Sequence, residues 1–265
     1  MEDPTRIAIL AHFGKHVVAL GGTYVSYDDE GNPSAERFFC YTGTLLSVKG
    51  EWWIATAGHI FSQLEPHIAS GRIEIREQSV CDYVGVRPDV ARPVPFRFLD
   101  APKVWKDVDG LDFAVIPIER YYRRLFDTGH LLPLDERAYR PPPLDVDEFR
   151  FALYGFPERL VSETQIASTE PIIGHIKPVL NFIEGEAFDN TYPYPRFKAK
   201  LLGNIESAVG FSGGPVFTFI RRKGQDLYFL IALQASWHEP SRTVYGCPIT
   251  VFMPLAKEML TRGSS

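Results

Sequence analysis

An all-β chain of two antiparallel six-stranded β-barrels with a short C-terminal helix is the fold class this sequence predicts. Three observations carry that reading. The 265 residues include 21 Gly and 21 Pro, and 13% of them are aromatic, a composition of short strands and tight turns. Apolar runs of strand length recur in two sets of about six, one in each half of the chain. Between the sets lies a charged, proline-rich stretch with three consecutive prolines, Pro141, Pro142 and Pro143. Proline lacks the N–H that a sheet needs, so this stretch reads as an ordered connector. The expected organisation is therefore a barrel over residues 1–125, a connector over 126–148, and a second barrel with the terminal helix over 149–265.

Taken in order, residues 15–27 are β-rich and end at the turn signal Asp28-Asp29-Glu30-Gly31-Asn32-Pro33. Residues 37–48 and 51–57 are separated by Lys49-Gly50, a two-residue hairpin connection. Residues 72–77 alternate strictly, and strands follow over 94–99 and 112–118. The second set is expected over 149–156, 160–168, 172–179, 197–202, 215–220, 228–236 and 246–253. The basic run Arg221-Arg222-Lys223-Gly224 reads as a solvated hairpin tip. Residues 255–262 carry Leu255, Met259 and Leu260 on one helical face.

Composition also excludes classes of function. Hydrophobic residues are 45% and charged residues 23%, which removes disordered, collagen-like and coiled-coil chains. A formal net charge of −5 is not the footprint of a general nucleic-acid binder. No apolar run approaches the length of a membrane-spanning helix, so no membrane association is expected. The acidic start Met1-Glu2-Asp3-Pro4 is unlike a secretory signal, and a cytoplasmic location is the expectation. Cys40, Cys81 and Cys247 are odd in number and form no CxxC pair. They read as reduced thiols, with neither metal nor cofactor expected.

Three segments carry chemistry. Ile54-Ala55-Thr56-Ala57-Gly58-His59 closes one apolar strand, and Gly110-Leu111-Asp112-Phe113-Ala114 opens another. Gly210-Phe211-Ser212-Gly213-Gly214-Pro215 is a glycine-rich turn entering a third. Each alone has a structural explanation: a His after a strand, an Asp in a turn, and glycines supplying positive φ. Together they present His, Asp and Ser in that order, 53 and 100 residues apart, the chain order of one of the three known Ser-His-Asp arrangements. Asp107 and Asp109 are alternatives to Asp112, which is preferred because an apolar strand follows it. The other six histidines, at 12, 16, 67, 130, 175 and 238, sit in no comparable motif.

These segments resemble those of the trypsin-like, chymotrypsin-fold serine peptidases. "TAGHI" is similar to that family's "TAAHC", "LDFAVI" to "DIALL", and "GFSGGPVF" to "GDSGGP". Weaker likenesses are Leu153-Tyr154-Gly155-Phe156-Pro157 to a "GYP" strand end and Ala235-Ser236-Trp237 to a "VSWG" strand. The resemblance implies two β-barrels with the site in the cleft between them. It implies Ser212 as nucleophile, His59 as general base and acid, Asp112 as orienter, and the N–H groups of Gly210 and Ser212 as an oxyanion hole. It further implies a protein or peptide substrate running along Ser236, Trp237 and His238. Counting six residues back from Ser212 gives Glu206 as the pocket residue, or else an exposed loop residue. His238 stands where the family has Gly, and would either narrow the groove or pair with a substrate acid.

Phe211 replaces the family's Asp before the nucleophile, and Ile60 replaces its Cys after the His. Both suit an intracellular, bacterial-type member without the disulfides, and the chain is expected to lack a PDZ domain. The function implied is limited proteolysis of intracellular proteins. The alternatives are a silent peptide-binding scaffold of the same fold and a latent enzyme that needs a regulatory partner to order its oxyanion loop.

Overall fold

The structure is a computed structural model that describes residues 4–82, 93–128, 131–143, 148–158, 162–164, 173–203 and 207–263. Helix α1 (Pro4–Gly14) begins on proline, whose fixed φ suits a first helical position. A seven-stranded antiparallel sheet follows: β1 (Val17–Ser26), β2 (Arg37–Val48), β3 (Glu51–Thr56), β4 (Ile73–Asp82), β5 (Pro93–Val94), β6 (Val104–Val108) and β7 (Leu111–Ile118). Its strand order is β5-β4-β1-β2-β3-β7-β6. The β2–β3 connection is the expected two-residue turn, with Lys49 and Gly50 at φ 51° and 82°. Helix α2 (His59–Ala69) leaves β3, and helix α3 (Arg120–Thr128) leaves β7.

The second β unit is a closed antiparallel barrel. Its strands are β8 (Glu148–Gly155), β11 (Val179–Asp189), β12 (Arg196–Leu201), β13 (Pro215–Arg222), β14 (Gln225–His238) and β15 (Thr243–Pro248), in the order β11-β12-β15-β14-β13-β8. A separate two-stranded ladder pairs β9 (Ser162–Thr164) with β10 (Ile173–His175). Helix α4 (Ile249–Gly263) ends the fold. The class is all-β, as the sequence predicts, and among the described residues the α-helices stand at the ends and after β3 and β7, with one 3-10 turn at Glu239–Ser241.

Several local expectations are corrected. Helix α3, which no expectation included, reaches into the stretch read as an ordered connector, and its Phe126 is fully buried with Leu125 and Tyr122 packed beside it on the same face. The strand expected over 246–253 stops at Pro248. From there Ile249, Phe252, Met253 and Ala256 are buried at helical spacing, so the terminal helix starts six residues earlier than its polar periodicity indicates. No strand is expected over 180–189, yet β11 runs through it. Its charged and polar residues dilute the apolar pattern, and the barrel accepts them because only alternate side chains, such as Ile183, are buried. Of the strand expected over 160–168, residues 160, 161 and 165–168 lie outside the described residues.

Three apolar clusters hold the molecule. Val18, Leu20, Leu45, Ile54, Phe61, Ile116 and Phe126 fill the interior of the N-terminal sheet. Leu153, Ile183, Phe197, Phe211, Val216 and Val244 fill the barrel. The third cluster joins the two, with Val17, Leu46, Trp53 and Phe113 from the sheet against Tyr154, Phe217, Leu233 and Phe252 from the other half. Strand β1 therefore buries both faces, which is why it reads as a continuous apolar run instead of an alternating one.

The two terminal helices cross over. Phe13 of α1 packs on Phe217, Phe219 and Tyr228 of the barrel, with ring centroids 5.0 to 5.2 Å apart. Phe252 of α4 stacks on Phe113 of β7 at 5.3 Å. Truncating Phe252 to Ala opens a cavity at this seam and is expected to cost about 3–5 kcal/mol of stability. Equilibrium denaturant unfolding of the Phe252→Ala variant measures that loss.

Candidate active site

His59 is the first residue of α2, three residues past the end of β3. Gly58 before it is required by close packing: a Cβ there would lie 2.0 Å from the Lys106 carbonyl oxygen of β6 and 2.8 Å from that of Phe113 in β7. Asp112 enters from β7, directly after the tight turn Asp109-Gly110, whose φ angles are 58° and 90°. Its carboxylate accepts two hydrogen bonds from one residue. Oδ1 takes the His59 backbone N–H at 2.9 Å and Oδ2 takes ring Nδ1 at 2.7 Å. This arrangement fixes the ring, with Nδ1 as the donor and Nε2 left to face other groups.

The alternative acids stand apart from that bond. Asp107 accepts from the Ser62 hydroxyl, and Asp109 occupies the turn, where its carbonyl takes the Tyr194 N–H at 3.1 Å. Both ring partners are shielded, with 21% of the His59 side chain and 13% of the Asp112 side chain exposed. Burial alone would lower the His59 pKa. The hydrogen bond from Asp112, its charge, and the charge of Asp107 together outweigh burial and raise it above 6.5.

Ser212 lies in the turn 209–214, between β12 and β13. Gly210 and Gly213 adopt φ of 89° and 82°, which a side chain would strain, and both are also sterically enclosed. A Cβ on Gly210 would be 2.5 Å from the Phe156 oxygen, and one on Gly213 would be 2.2 Å from the Thr56 hydroxyl. Phe211 is fully buried in the barrel core, so its ring anchors the turn.

The hydrogen bonds of this turn are nearly complete. The Val209 carbonyl accepts from Glu158 N–H at 3.0 Å, Phe211 from Gly214 N–H at 2.7 Å, and Gly214 from Gln234 N–H at 2.8 Å. The remaining carbonyls bond to the N-terminal sheet. Gly210 accepts from the Thr42 hydroxyl at 3.0 Å, Ser212 from Thr42 N–H at 3.3 Å, and Gly213 from the Thr44 hydroxyl at 3.1 Å. Among the N–H groups, Val209 donates to Ser207 Oγ, Phe211 to the Ala208 carbonyl, Gly213 to that of Gln234, and Gly214 to that of Phe211. Among the described residues, the N–H groups of Gly210 and Ser212 alone in this turn donate to nothing. Backbone donors in folded proteins are almost always paired, so two adjacent exceptions mark a place where a ligand acceptor fits. No hydrogen bond joins the Ser212 hydroxyl to the His59 ring among the described residues, and such bonds are commonly long until substrate is bound.

The other residues expected at the site fall along β14. Ser236, Trp237 and His238 pair with Tyr245, Val244 and Thr243 on one side only. Their opposite edge has no strand beside it among the described residues, because β13 begins at Pro215, opposite Leu233. His238 is exposed, and its Nδ1 is 2.7 Å from the Ser241 hydroxyl. Glu206 lies outside the described residues.

Sequence reasoning missed Thr42, Thr44, Thr56 and Gln234, all fully or almost fully buried. Their signal was present as polar residues inside runs that otherwise read as core, such as Tyr41-Thr42-Gly43-Thr44-Leu45. A buried hydroxyl needs a partner, and here Thr42 and Thr44 find the carbonyls of a distant turn while Thr56 donates to the Thr42 carbonyl.

Two antiparallel β units pack together, with His59 and Asp112 on one and Ser212 on the other. The fold is all-β, a seven-stranded antiparallel sheet beside a closed six-stranded barrel. No protein-family model matches the chain, and no curated protein matches it. Among solved structures, the chain is similar to a catalytically inactive tobacco etch virus protease complexed with substrate. That match has 12% identity and a TM-score of 0.39, over 90% of this chain and 80% of the other. It is also similar to a Glu endopeptidase in complex with MPD, with 12% identity and a TM-score of 0.43 over 93% and 90%.

The raised His59 pKa has a definite consequence for stability. The protonated form gains a partner on folding, so its contribution is full below the unfolded value of 6.5 and is lost as pH rises through the higher folded value. NMR titration of the His59 ring is expected to give a midpoint above 6.5, and in Asp112→Asn a midpoint below that of the parent, because burial remains while the carboxylate charge and its bond are gone.

Proposed function

We propose that this protein is a serine endopeptidase that hydrolyses peptide bonds through an acyl-enzyme intermediate. One observation supports this above the others: in the turn that carries Ser212, only the N–H groups of Gly210 and Ser212 are uncommitted among the described residues. The chemistry of acyl transfer needs two such donors beside the nucleophile, aimed where negative charge develops.

In this reading Ser212 Oγ attacks the scissile carbonyl while His59 Nε2 takes its proton. The carbonyl oxygen becomes an oxyanion held by the two free N–H groups. Asp112 keeps Nδ1 protonated and stabilises the imidazolium. His59 then returns the proton to the departing amine, leaving an ester on Ser212. Water, deprotonated by His59, cleaves that ester and restores the hydroxyl. The substrate chain adds as a strand along the open edge of residues 236–238, where backbone hydrogen bonds give affinity without demanding a sequence. Glu206 would set a preference for basic side chains. The setting that goes with this reading is limited proteolysis of cytoplasmic proteins.

The buried Phe211 favours an active enzyme over a silent scaffold or a latent one. Where the secreted members of the family it resembles hold this turn with an ion pair formed on activation, here a ring in the barrel core and bonds from β2 and β14 hold it. The test is labelling with a fluorophosphonate probe and turnover on a diverse peptide library. Ser212→Ala is expected to lose labelling entirely and turnover by several orders of magnitude. Equal labelling of parent and variant would remove the serine assignment.

A further inference from the structure

Thr42 makes four hydrogen bonds, and three of them join the two β units. Its hydroxyl donates to the Gly210 carbonyl at 3.0 Å and accepts the Phe156 N–H at 3.2 Å. Its backbone N–H donates to the Ser212 carbonyl at 3.3 Å, and its backbone carbonyl accepts the Thr56 hydroxyl at 2.8 Å. The side chain is fully buried, so none of these groups has water as a substitute. Because the Phe156 N–H already points at the hydroxyl oxygen, the single hydroxyl proton is directed to Gly210. The approach is built on both sides. Gly155 has no side chain here, and a Cβ there would lie 3.0 Å from the Thr42 hydroxyl and 2.8 Å from the Phe211 ring.

The carbonyl that Thr42 holds belongs to the peptide between Gly210 and Phe211. That peptide separates the two uncommitted N–H groups, and its own N–H is tied to the Ala208 carbonyl. Gly210 has φ of 89° and no Cβ, so its conformation is set by neighbours instead of by its own sterics. A plane held at both its C=O and its N–H keeps the donors on either side in fixed directions.

We propose that Thr42 is the positioning residue of the oxyanion site. In this role its hydroxyl, supplied by the N-terminal sheet, holds the Gly210–Phe211 peptide so that the Gly210 and Ser212 N–H groups stay directed at the reacting carbonyl. This rests on the peptidase reading above. It adds a dependence of catalysis on a residue outside the triad and on the seating of one β unit against the other. The substrate does not touch Thr42, so the effect falls on the step that develops negative charge and not on substrate binding.

The experiment compares Thr42→Val, Thr42→Ser and the parent on one peptide substrate that the parent cleaves and Ser212→Ala does not. Valine keeps the volume and removes the hydroxyl. The expected result is a kcat lowered on the order of 10- to 100-fold in Thr42→Val, part of what a lost oxyanion donor costs. KM and the midpoint of the acidic limb of kcat/KM should stay at the parent values, and Thr42→Ser should recover most of the rate. The fluorophosphonate labelling rate should fall in parallel with kcat. A folded Thr42→Val with kcat within about threefold of the parent overturns the proposal, as does a Thr42→Ser variant as slow as Thr42→Val. Should valine prevent folding, Thr42→Cys, with a similar volume and only a weak donor, takes its place under the same criteria. Turnover that survives Ser212→Ala would instead defeat the peptidase reading, whatever Thr42 does.

Discussion

Backbone polar groups removed from water must find partners, and the turn 209–214 finds its partners on both halves of the molecule. Three of its carbonyls are held by Thr42 and Thr44 of β2, one by Gln234 of β14, and one by the Glu158 N–H after β8. The turn therefore has no conformation of its own apart from the docked β units. Its two glycines at positive φ make it pliable, and the surrounding strands decide which shape it takes. The placement of Gly210 and Ser212 depends on that seating.

Two other features keep the units seated. The shared apolar cluster joins residues from the sheet, the barrel and α4, and each terminal helix packs on the half that does not contain it. Burial of this kind is non-directional and supplies the stability, while the threonine hydroxyls are directional and supply the register. In the N-terminal unit, His59 is oriented by a carboxylate that takes both its ring and its backbone N–H, so helix α2 and strand β7 cannot shift relative to each other without breaking both bonds. Phe211 shows the same division of labour in miniature. Its ring fixes the depth of the turn by burial, and the neighbouring carbonyls fix its twist by hydrogen bonds.

The motifs were legible because they are local. Lys49-Gly50 and Asp109-Gly110 are tight turns that short-range sterics dictate, and the glycines around Ser212 announce a strained turn. Asp112 was preferred over Asp107 and Asp109 from the apolar strand behind it, and it is the acid bonded to His59. Element boundaries were less legible. Residues 249–253 are apolar and β-branched enough to continue a strand, and as a helix they pack against β6 and β7 of the sheet and β14 and β15 of the barrel. The polar character of β11 hid a strand whose outer face needs no apolar residues.

By itself, then, the sequence determined the all-β class, the chain order of His59, Asp112 and Ser212, and the glycines that let the last of these sit in a sharp turn. These follow from periodicity and from backbone sterics, which act over a few residues. The tertiary structure alone decided which donors are left free. A hydroxyl at position 42 and a carbonyl at position 210 are 168 residues apart, and nothing local in either segment reports that they meet. Hydrogen bonds of that kind form only after two separate β units have buried their common face. Among the described residues, the N–H groups of Gly210 and Ser212 are what remains unpaired in the turn once those bonds have formed.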